Sequence, residues 1–462
     1  MTVQRTVSPV DGRVLVERVI ATEADIAKVI ERASTAAAGW RDTPVAARTA
    51  MIGRAIDHMV ARRDELAAEI TWQMGRPLGQ SPGEIRGLEE RARFMLAVAP
   101  RALADRQPEP KSGFSRFIRR EPLGLVFVIA PWNYPYLTAV NSIVPALAAG
   151  NAVLLKHSAQ TPLCAERFQE AFDAAGLPPG VFQHLHVSHD AALRIVASGA
   201  ARLVAFTGSV ATGHAVQAAA GQAFVATNLE LGGKDPAYVR EDADLGHAIE
   251  NLVDGACFNS GQSCCGIERI YVHASRFDAF VEGYTALAGR YVLGDPTDAA
   301  SSLGPMVRAS AADFARGQVD EAVAQGARAM IDPAAFAREA RGSAYMAPQC
   351  VIGVTHAMRI MQEESFAPIV GIMPVAEDDE AVSMMNDSRF GLTASIWTRD
   401  EAAAVAIGDR IDSGTCFMNR CDYLDPALAW VGVKDSGRGC ALSEESFTYL
   451  TRPKSFHLRT GL

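Results

Sequence analysis

Apolar residues recur at helical spacing in four early stretches; beyond them short apolar runs alternate with further helical ones. Ser8-Pro9-Val10-Asp11-Gly12 comes first and reads as a turn between two short strands. From Thr22, the residues Ile26, Val29, Ile30 and Ala33 share one face; Thr22 can cap, and Glu23 and Asp25 load the first turn. The same spacing returns near Pro44 with Met51, Ile52, Ala55, Ile56 and Met59. It returns again from about Asp64 to Met74, ahead of Gly75-Arg76-Pro77, and from roughly Gly83 to Ala99, where Pro100 is expected to end the helix.

The period changes at residue 105. Asp105 to Lys111 is polar and proline-rich, and Phe114 to Arg120 alternates apolar with basic or polar positions, as an exposed strand does. Ser455 to Arg459 alternates similarly and offers that strand a partner. Gly124 to Ala130 reads as a buried strand ending in Pro131-Trp132-Asn133-Tyr134-Pro135. A helix holding Leu137, Val140, Ile143, Val144 and Leu147 follows, stops at Gly150-Asn151, and gives way to the strand Ala152 to Lys156. Pro178 to Phe182 keeps the rhythm, and so does Arg202 to Ser209, where a strand runs into a Gly-Ser helix start. Strands alternating with helices predict an α/β fold with a mostly parallel, Rossmann-type sheet.

At 462 residues the chain is too long for one ordinary core, so two or three domains are expected. Hydrophobic content of 49% with 21% charged residues is that of a globular protein. A net charge of -9 with no basic stripe argues against nucleic acid as a partner. The longest apolar run, Leu123 to Pro131, is too short to span a bilayer, and Met1 to Arg5 carries no apolar leader core. Eight scattered cysteines, without a C-x-x-C pair and matching histidines, predict free thiols in a reducing compartment such as the cytoplasm. No metal site is expected.

Chemistry concentrates at Phe258-Asn259-Ser260-Gly261-Gln262-Ser263-Cys264-Cys265, where a turn-prone segment is followed at once by thiols, ahead of the strand-like Ile270-Tyr271-Val272. A cysteine held on a tight turn at the mouth of a sheet suits a covalent nucleophile. Thirty-four residues upstream of Cys264, Glu230-Leu231-Gly232-Gly233-Lys234 sets a lone acid beside a glycine pair. The two segments resemble the signatures of the aldehyde dehydrogenase superfamily, E-L-G-G-K and F-x-x-x-G-Q-x-C, and the resemblance runs from about Pro9 to Lys454. It implies an NAD(P)-binding domain over 1–104 and 123–230 and an α/β catalytic domain over 231–440. A bridging β-ribbon, 105–122 with 441–462, would build a homodimer or homotetramer.

The resemblance implies oxidation of a small-molecule aldehyde to its acid with NAD or NADP. The motif selects Cys264 over Cys265 as nucleophile; Cys265 should point the opposite way if the segment is extended. Glu230, in an otherwise uncharged run, is the candidate base, and partial burial would tune it. Asn133 would hold the oxyanion together with the Cys264 N–H. For the cofactor, Lys156 would contact the adenine ribose and Gly208-Ser209 the pyrophosphate at a helix start. Glu364 would hold the nicotinamide ribose and Phe366 would flank the ring. Ile129, Trp132, Thr212 and Leu231 match further cofactor positions.

Three departures from the family pattern matter. Lys156-His157-Ser158-Ala159 lacks the glutamate that would repel a 2′-phosphate, so NADP acceptance is expected from Ala159. Ala429-Trp430-Val431-Gly432 stands where the family reads P-F-G-G. Asn141 stands where succinic semialdehyde relatives carry an arginine, which argues against a short acidic semialdehyde. Tyr134 and Trp430 match two positions of an aromatic cage for cationic aldehydes, but the third, at 141, is missing. With Thr138 and Leu424 also in the tunnel, a neutral, moderately apolar aldehyde is expected ahead of an aminoaldehyde, betaine aldehyde or semialdehyde. A CoA-acylating relative would commonly lack the base that Glu230 supplies. An inactive scaffold would not be expected to retain Cys264, Glu230 and Asn133 together.

Overall fold

The computed structural model describes residues 2–461. Strands β1 (Val3–Val7) and β2 (Val14–Val19) form an antiparallel hairpin. Helices α1 (Glu23–Arg41), α2 (Val45–Ala61), α3 (Arg63–Met74) and α4 (Pro82–Ala102) follow. Thr22 caps α1 reciprocally: its hydroxyl accepts the Asp25 N–H at 3.3 Å and the Asp25 carboxylate accepts the Thr22 N–H at 3.0 Å. Pro100 lies inside α4 instead of ending it. In the last turn a proline forfeits a single backbone bond, and buried Ala99 and Ala102 hold that turn against the core.

The first sheet takes β3 (Phe114–Pro122) as its approach and then winds through β4 (Leu125–Ala130), α5 (Pro135–Ala148), β5 (Ala152–His157) and α6 (Pro162–Ala174). It continues with β6 (Phe182–His184), α7 (His189–Ala197), β7 (Leu203–Thr207), α8 (Val210–Gly221) and β8 (Ala226–Glu230). The parallel order is β8-β7-β4-β5-β6. Both faces of β4 are covered, which is why it is apolar throughout. Val126, Val128 and Ala130 enter the core shared with α2 to α6, and Leu125, Phe127 and Ile129 enter the one shared with α1, α7 and α8. Strand order reverses at β4, which opens a crevice beyond the carboxyl ends of β4 and β7.

The second sheet contains β9 (Asp235–Val239), α9 (Leu245–Cys257), β10 (Ile267–His273), α10 (Phe277–Ala288) and α11 (Ala309–Ala324). Then come β11 (Arg328–Ala329), β12 (Gln349–Ile352), α12 (Arg359–Gln362), β13 (Ile369–Val375) and α13 (Asp378–Asn386). After β14 (Phe390–Gly391), which pairs outside this sheet with Val433–Lys434, it closes with β15 (Thr393–Trp397), α14 (Glu401–Gly408) and β16 (Thr415–Met418). Its order, β11-β12-β13-β10-β9-β15-β16, is parallel except at β11. This sheet offers the amino ends of its strands to the crevice. Gly232 and Gly233 lie just ahead of β9, Cys264 ahead of β10, and Glu364 and Phe366 ahead of β13.

The chain ends with β17 (Val433–Lys434), β18 (Gly437–Arg438), α15 (Ser446–Tyr449) and β19 (Thr451–Arg459). β18 returns to the first sheet and pairs antiparallel with β8, Gly437 opposite Glu230. Gly437 has φ +141, and the Leu229 carbonyl occupies the space a Cβ would need, so only glycine lets this strand reach β8. Phe447 and Leu450 pack into the first core. β18 and the segment holding Phe447 and Leu450 therefore sit with the first sheet, across the expected boundary at 440. The ribbon itself is β3 with β19, in register from Pro122 opposite Thr451 to Phe114 opposite Arg459. Phe117 stacks on Phe456 at 4.4 Å and Phe114 on His457 at 4.8 Å. Among the described residues no helix is long and apolar enough to cross a membrane, and no cluster of three or more His, Cys, Asp or Glu side chains could hold a metal.

Candidate active site

Asn259, Ser260 and Gly261 run consecutively at φ 53, 56 and 68, a left-handed kink that precedes the nucleophile segment. For the two residues that carry a Cβ this conformation costs about 1–2 kcal/mol each. Side-chain bonds offset it. Asn259 Oδ1 accepts from Arg76 Nε at 3.0 Å, and its Nδ2 donates to the carbonyls of Asn133 (3.2 Å) and Gln262 (3.1 Å). Ser260 Oγ donates to the Gly304 carbonyl at 2.9 Å. At Gly261 the Ala367 carbonyl leaves no space for a Cβ. Cys264 emerges from this kink half-buried, in a turn, not in an extended strand. Cys265 beside it lines the same cavity as Cys264 and is not turned to the opposite side. It is buried, and its Sγ donates to Asp422 Oδ1 at 2.9 Å.

Asn133 is buried, and its Nδ2 donates to the Gln262 carbonyl at 3.1 Å. A side-chain amide has two N–H groups, so one remains for an oxyanion. Glu230 ends β8 in the same cleft. Thr207 Oγ1 donates to its Oε2 at 3.2 Å, while its Oε1 is buried without a partner. Burial, against that hydrogen bond and the pull of Arg91, raises its carboxyl from the ordinary 4.5 to about 7.

A cleft of about 210 Å³ joins these groups, lined by Trp132, Asn133, Thr207, Gly208, Ser209, Glu230, Leu231, Cys264, Glu364 and Phe366 among others. Trp132 and Phe366 meet edge-to-face across it at 5.7 Å. The residues fit a dinucleotide. Ser209 caps α8 by accepting the Thr212 N–H at 3.4 Å, which presents the helix start to a pyrophosphate. The Glu364 carboxylate fills the space a Cβ on Gly232 would need and accepts the Gly233 N–H at 3.1 Å. Burial, helped by repulsion from Glu268, lifts Glu364 to about 8. Lys156 is buried at the end of β5, and burial lowers its ammonium to about 8. Ile129 lies beside it in register on β4, and Ala159 is exposed in the turn beyond.

A second cavity of about 400 Å³ adjoins the first. Cys264 and Thr138 line both cavities and mark their junction. Tyr134 and Leu424 line the second as expected; Trp430 does not. Trp430 is buried with Cys265, Leu392 and Leu442 behind the nucleophile, so the two-aromatic arrangement expected from the sequence is not assembled on the cavity wall. Asn141 is buried in α5 and meets the cavity only through Arg91, whose Nη1 donates to Asn141 Oδ1 at 3.3 Å.

Several residues that organise the site went unread in the sequence. Arg76, taken as part of a helix stop, is buried, pairs with Glu84 at 2.5 Å, and donates to the Asn133 carbonyl as well as to Asn259. Lys234 is wholly buried, with Nζ on Glu268 at 2.6 Å and on Ser365 Oγ at 2.9 Å. Glu268 in turn accepts the N–H groups of Ser365 (2.7 Å) and Phe366 (2.8 Å), which fixes the loop carrying Glu364. Arg308 also lines the cofactor cleft. A second charge in the short signature, as Lys234 is beside Glu230, was the one available signal; Arg76 and Glu268 had none.

The aldehyde dehydrogenase family model matches residues 2–456. The NAD(P)+ succinate semialdehyde dehydrogenase Sad of Escherichia coli is 33% identical over 441 residues, covering 95% of this chain and 94% of that protein. The NADP(+) succinate-semialdehyde dehydrogenase 1 of Mycobacterium bovis is 34% identical over 440 residues, covering 95% and 96%. Among solved structures, the succinic semialdehyde dehydrogenase of Streptococcus pyogenes in complex with NADP+ superimposes with a TM-score of 0.94. It is 27% identical, with 99% of this chain and 100% of that one covered.

Proposed function

The chain belongs to the aldehyde dehydrogenase family, and we propose that Cys264, Asn133 and Glu230 carry its NAD(P)-dependent oxidation of an aldehyde to the carboxylic acid. The observation that carries this reading is the position of Cys264 where the two cavities meet, with Glu230 and Asn133 on the cofactor side. The Cys264 sulfur attacks the carbonyl carbon, and the new oxyanion is received by the Cys264 N–H and the free amide hydrogen of Asn133. NAD(P) held by Trp132, Ser209, Glu364 and Phe366 would supply the hydride acceptor, and the substrate carbon, having lost hydride, would remain on Cys264 as a thioester. Glu230 then takes a proton from water as that water attacks the thioester; the carbon–sulfur bond breaks and the acid departs. A carboxyl near 7 suits this step, because enough of it is ionised at neutral pH while it stays basic.

The two curated relatives are named for succinate semialdehyde, which favours the semialdehydes over the uncharged aldehydes that position 141 suggested. Both nicotinamide dinucleotides are taken as cofactors, and Ala159 supports NADP. No carboxylate stands beside Lys156 in the turn, so nothing there repels a 2′-phosphate. Ala159→Glu is expected to lower the NADP-to-NAD ratio of kcat/KM by at least about tenfold, through like-charge repulsion. An unchanged ratio contradicts the assignment. The ribbon supports a homodimer or homotetramer, since it leaves strand edges unpaired and Leu458 47% exposed in a single chain. The free cysteines support a reducing compartment.

The reading is tested by running the reaction in heavy-oxygen water without CoA. With the aldehyde equilibrated beforehand, so that its carbonyl oxygen has exchanged through the hydrate, NAD(P)H formation together with two heavy oxygens in the product acid is expected. A requirement for CoA, or product without the second label, rejects hydrolytic oxidation.

A further inference from the structure

Along α4, the residues Gly83, Glu84, Gly87, Glu90 and Arg91 form one wall of the substrate cavity. Gly87 permits the approach to α5, since a Cβ there would stand 2.6 Å from Leu137 Cδ1. Most charges around this cavity are already occupied. Glu84 accepts from Arg76 at 2.5 Å and from the N–H groups of Tyr136 (2.9 Å) and Leu137 (2.8 Å). Asp422 accepts from Ser263 and Cys265, and exposed Glu90 accepts from the Tyr423 hydroxyl at 2.9 Å.

Arg91 differs. It is 6% exposed, and among the described residues no carboxylate lies within ion-pair distance of it. Its Nη1 donates to the Leu137 carbonyl at 2.9 Å and to Asn141 Oδ1 at 3.3 Å, while Nε and Nη2 find no acceptor in the protein. The neighbouring Asn141 Nδ2 is also without a partner. A desolvated guanidinium with open donors is costly unless an anion completes it, and a carboxylate matches its planar fork.

We infer that Arg91, oriented by Leu137 and Asn141, is the specificity-determining residue that holds a carboxylate at the far end of the aldehyde substrate. The inference rests on the aldehyde-oxidising reading above. It also accounts for Asn141: the positive charge that an arginine would bring from α5 arrives from α4 instead. Asn141 Oδ1 accepts from Arg91 Nη1 at 3.3 Å.

The test compares two aldehydes of equal length, succinate semialdehyde and butanal, in wild type and in Arg91→Gln. Wild type is expected to favour the carboxylate-bearing aldehyde. In R91Q its kcat/KM should fall about 10- to 150-fold, mostly through KM, because the tail contact is alike in the bound and transition states. Butanal should lose at least about tenfold less than succinate semialdehyde at the same pH, any loss the two share reporting the pull of Arg91 on Glu230, and Arg91→Lys should recover part of the difference. Equal losses for both aldehydes, or no carboxylate preference in wild type, overturn the inference. A second measurement needs no variant: succinate should inhibit wild type competitively against the aldehyde at least about tenfold more tightly than succinamide. Equal inhibition by the two also overturns it. If wild type oxidises neither aldehyde, the aldehyde-oxidising reading fails instead, which keeps the two failures apart.

Discussion

Cys264→Ala is expected to lower aldehyde turnover by at least about 10⁴-fold with both dinucleotides, the scale set by removing a covalent nucleophile. The initial burst of NAD(P)H should vanish with it, because no thiohemiacetal forms. Dinucleotide binding, measured by protein fluorescence, should persist, since the cleft walls are otherwise intact. The adjacent thiol cannot substitute. Cys265 is 3% exposed and donates to Asp422, and its thiol is pushed well above the ordinary range by its hydrogen bond with Cys264 and by burial. Cys265→Ala is therefore expected to stay within about fivefold of wild type in burst amplitude, as a surface-remote thiol loss would. A surviving burst in C264A, or its loss in C265A alone, transfers the nucleophile to the neighbour.

Glu230→Gln separates the two halves of the reaction. Hydride release precedes the water step, so the burst of NAD(P)H should remain. Steady-state turnover should fall about 10²- to 10⁴-fold, the contribution of a positioned base, or about 3–5 kcal/mol of barrier. The pH profile carries the same signature. Wild-type kcat should climb about tenfold per pH unit below 7 and level off above it, as the carboxyl that burial holds near 7 loses its proton. E230Q should show no limb there. Stability follows with the opposite sign. The folded protein binds this proton more tightly than the unfolded chain, so its contribution is fully present below 4.5 and is lost as pH rises through about 7. E230Q should accordingly gain thermal stability relative to wild type at pH 8 and little at pH 4. A wild-type profile flat across pH 6–8 contradicts the assignment of Glu230 as the base.

The fold was largely readable because period and capping carry it. The β4 run, apolar at every position, announced a strand covered on both faces, and Thr22 with Asp25 announced the start of α1. The candidate triad came from a different source: Cys264, Glu230 and Asn133 each sit in a short segment that resembles a family signature. What escaped depends on residues far apart in sequence. Arg76 bonds Asn133 and Asn259 across separations of 57 and 183 residues, and nothing local in Gly75-Arg76-Pro77 foretells either contact. The return of β18 to the first sheet rests on Gly437 lying against Leu229, a packing fact without a periodic signal. Position 141 was read correctly as lacking an arginine. The compensating Arg91 lies fifty residues earlier on another helix, where it resembles any helix-surface charge until α4 packs on α5.

The convergence of sulfur, amide and carboxylate on one carbonyl is most directly tested by trapping the acyl group. E230Q is mixed with the aldehyde and NAD(P)+, quenched in acid within one turnover, and the peptide containing residues 264 and 265 is weighed by mass spectrometry. One acyl group per chain on the Cys264 sulfur, absent when C264A is added to E230Q, is the predicted result. An NAD(P)H burst without an adduct, or with the acyl group on Cys265, would contradict the account.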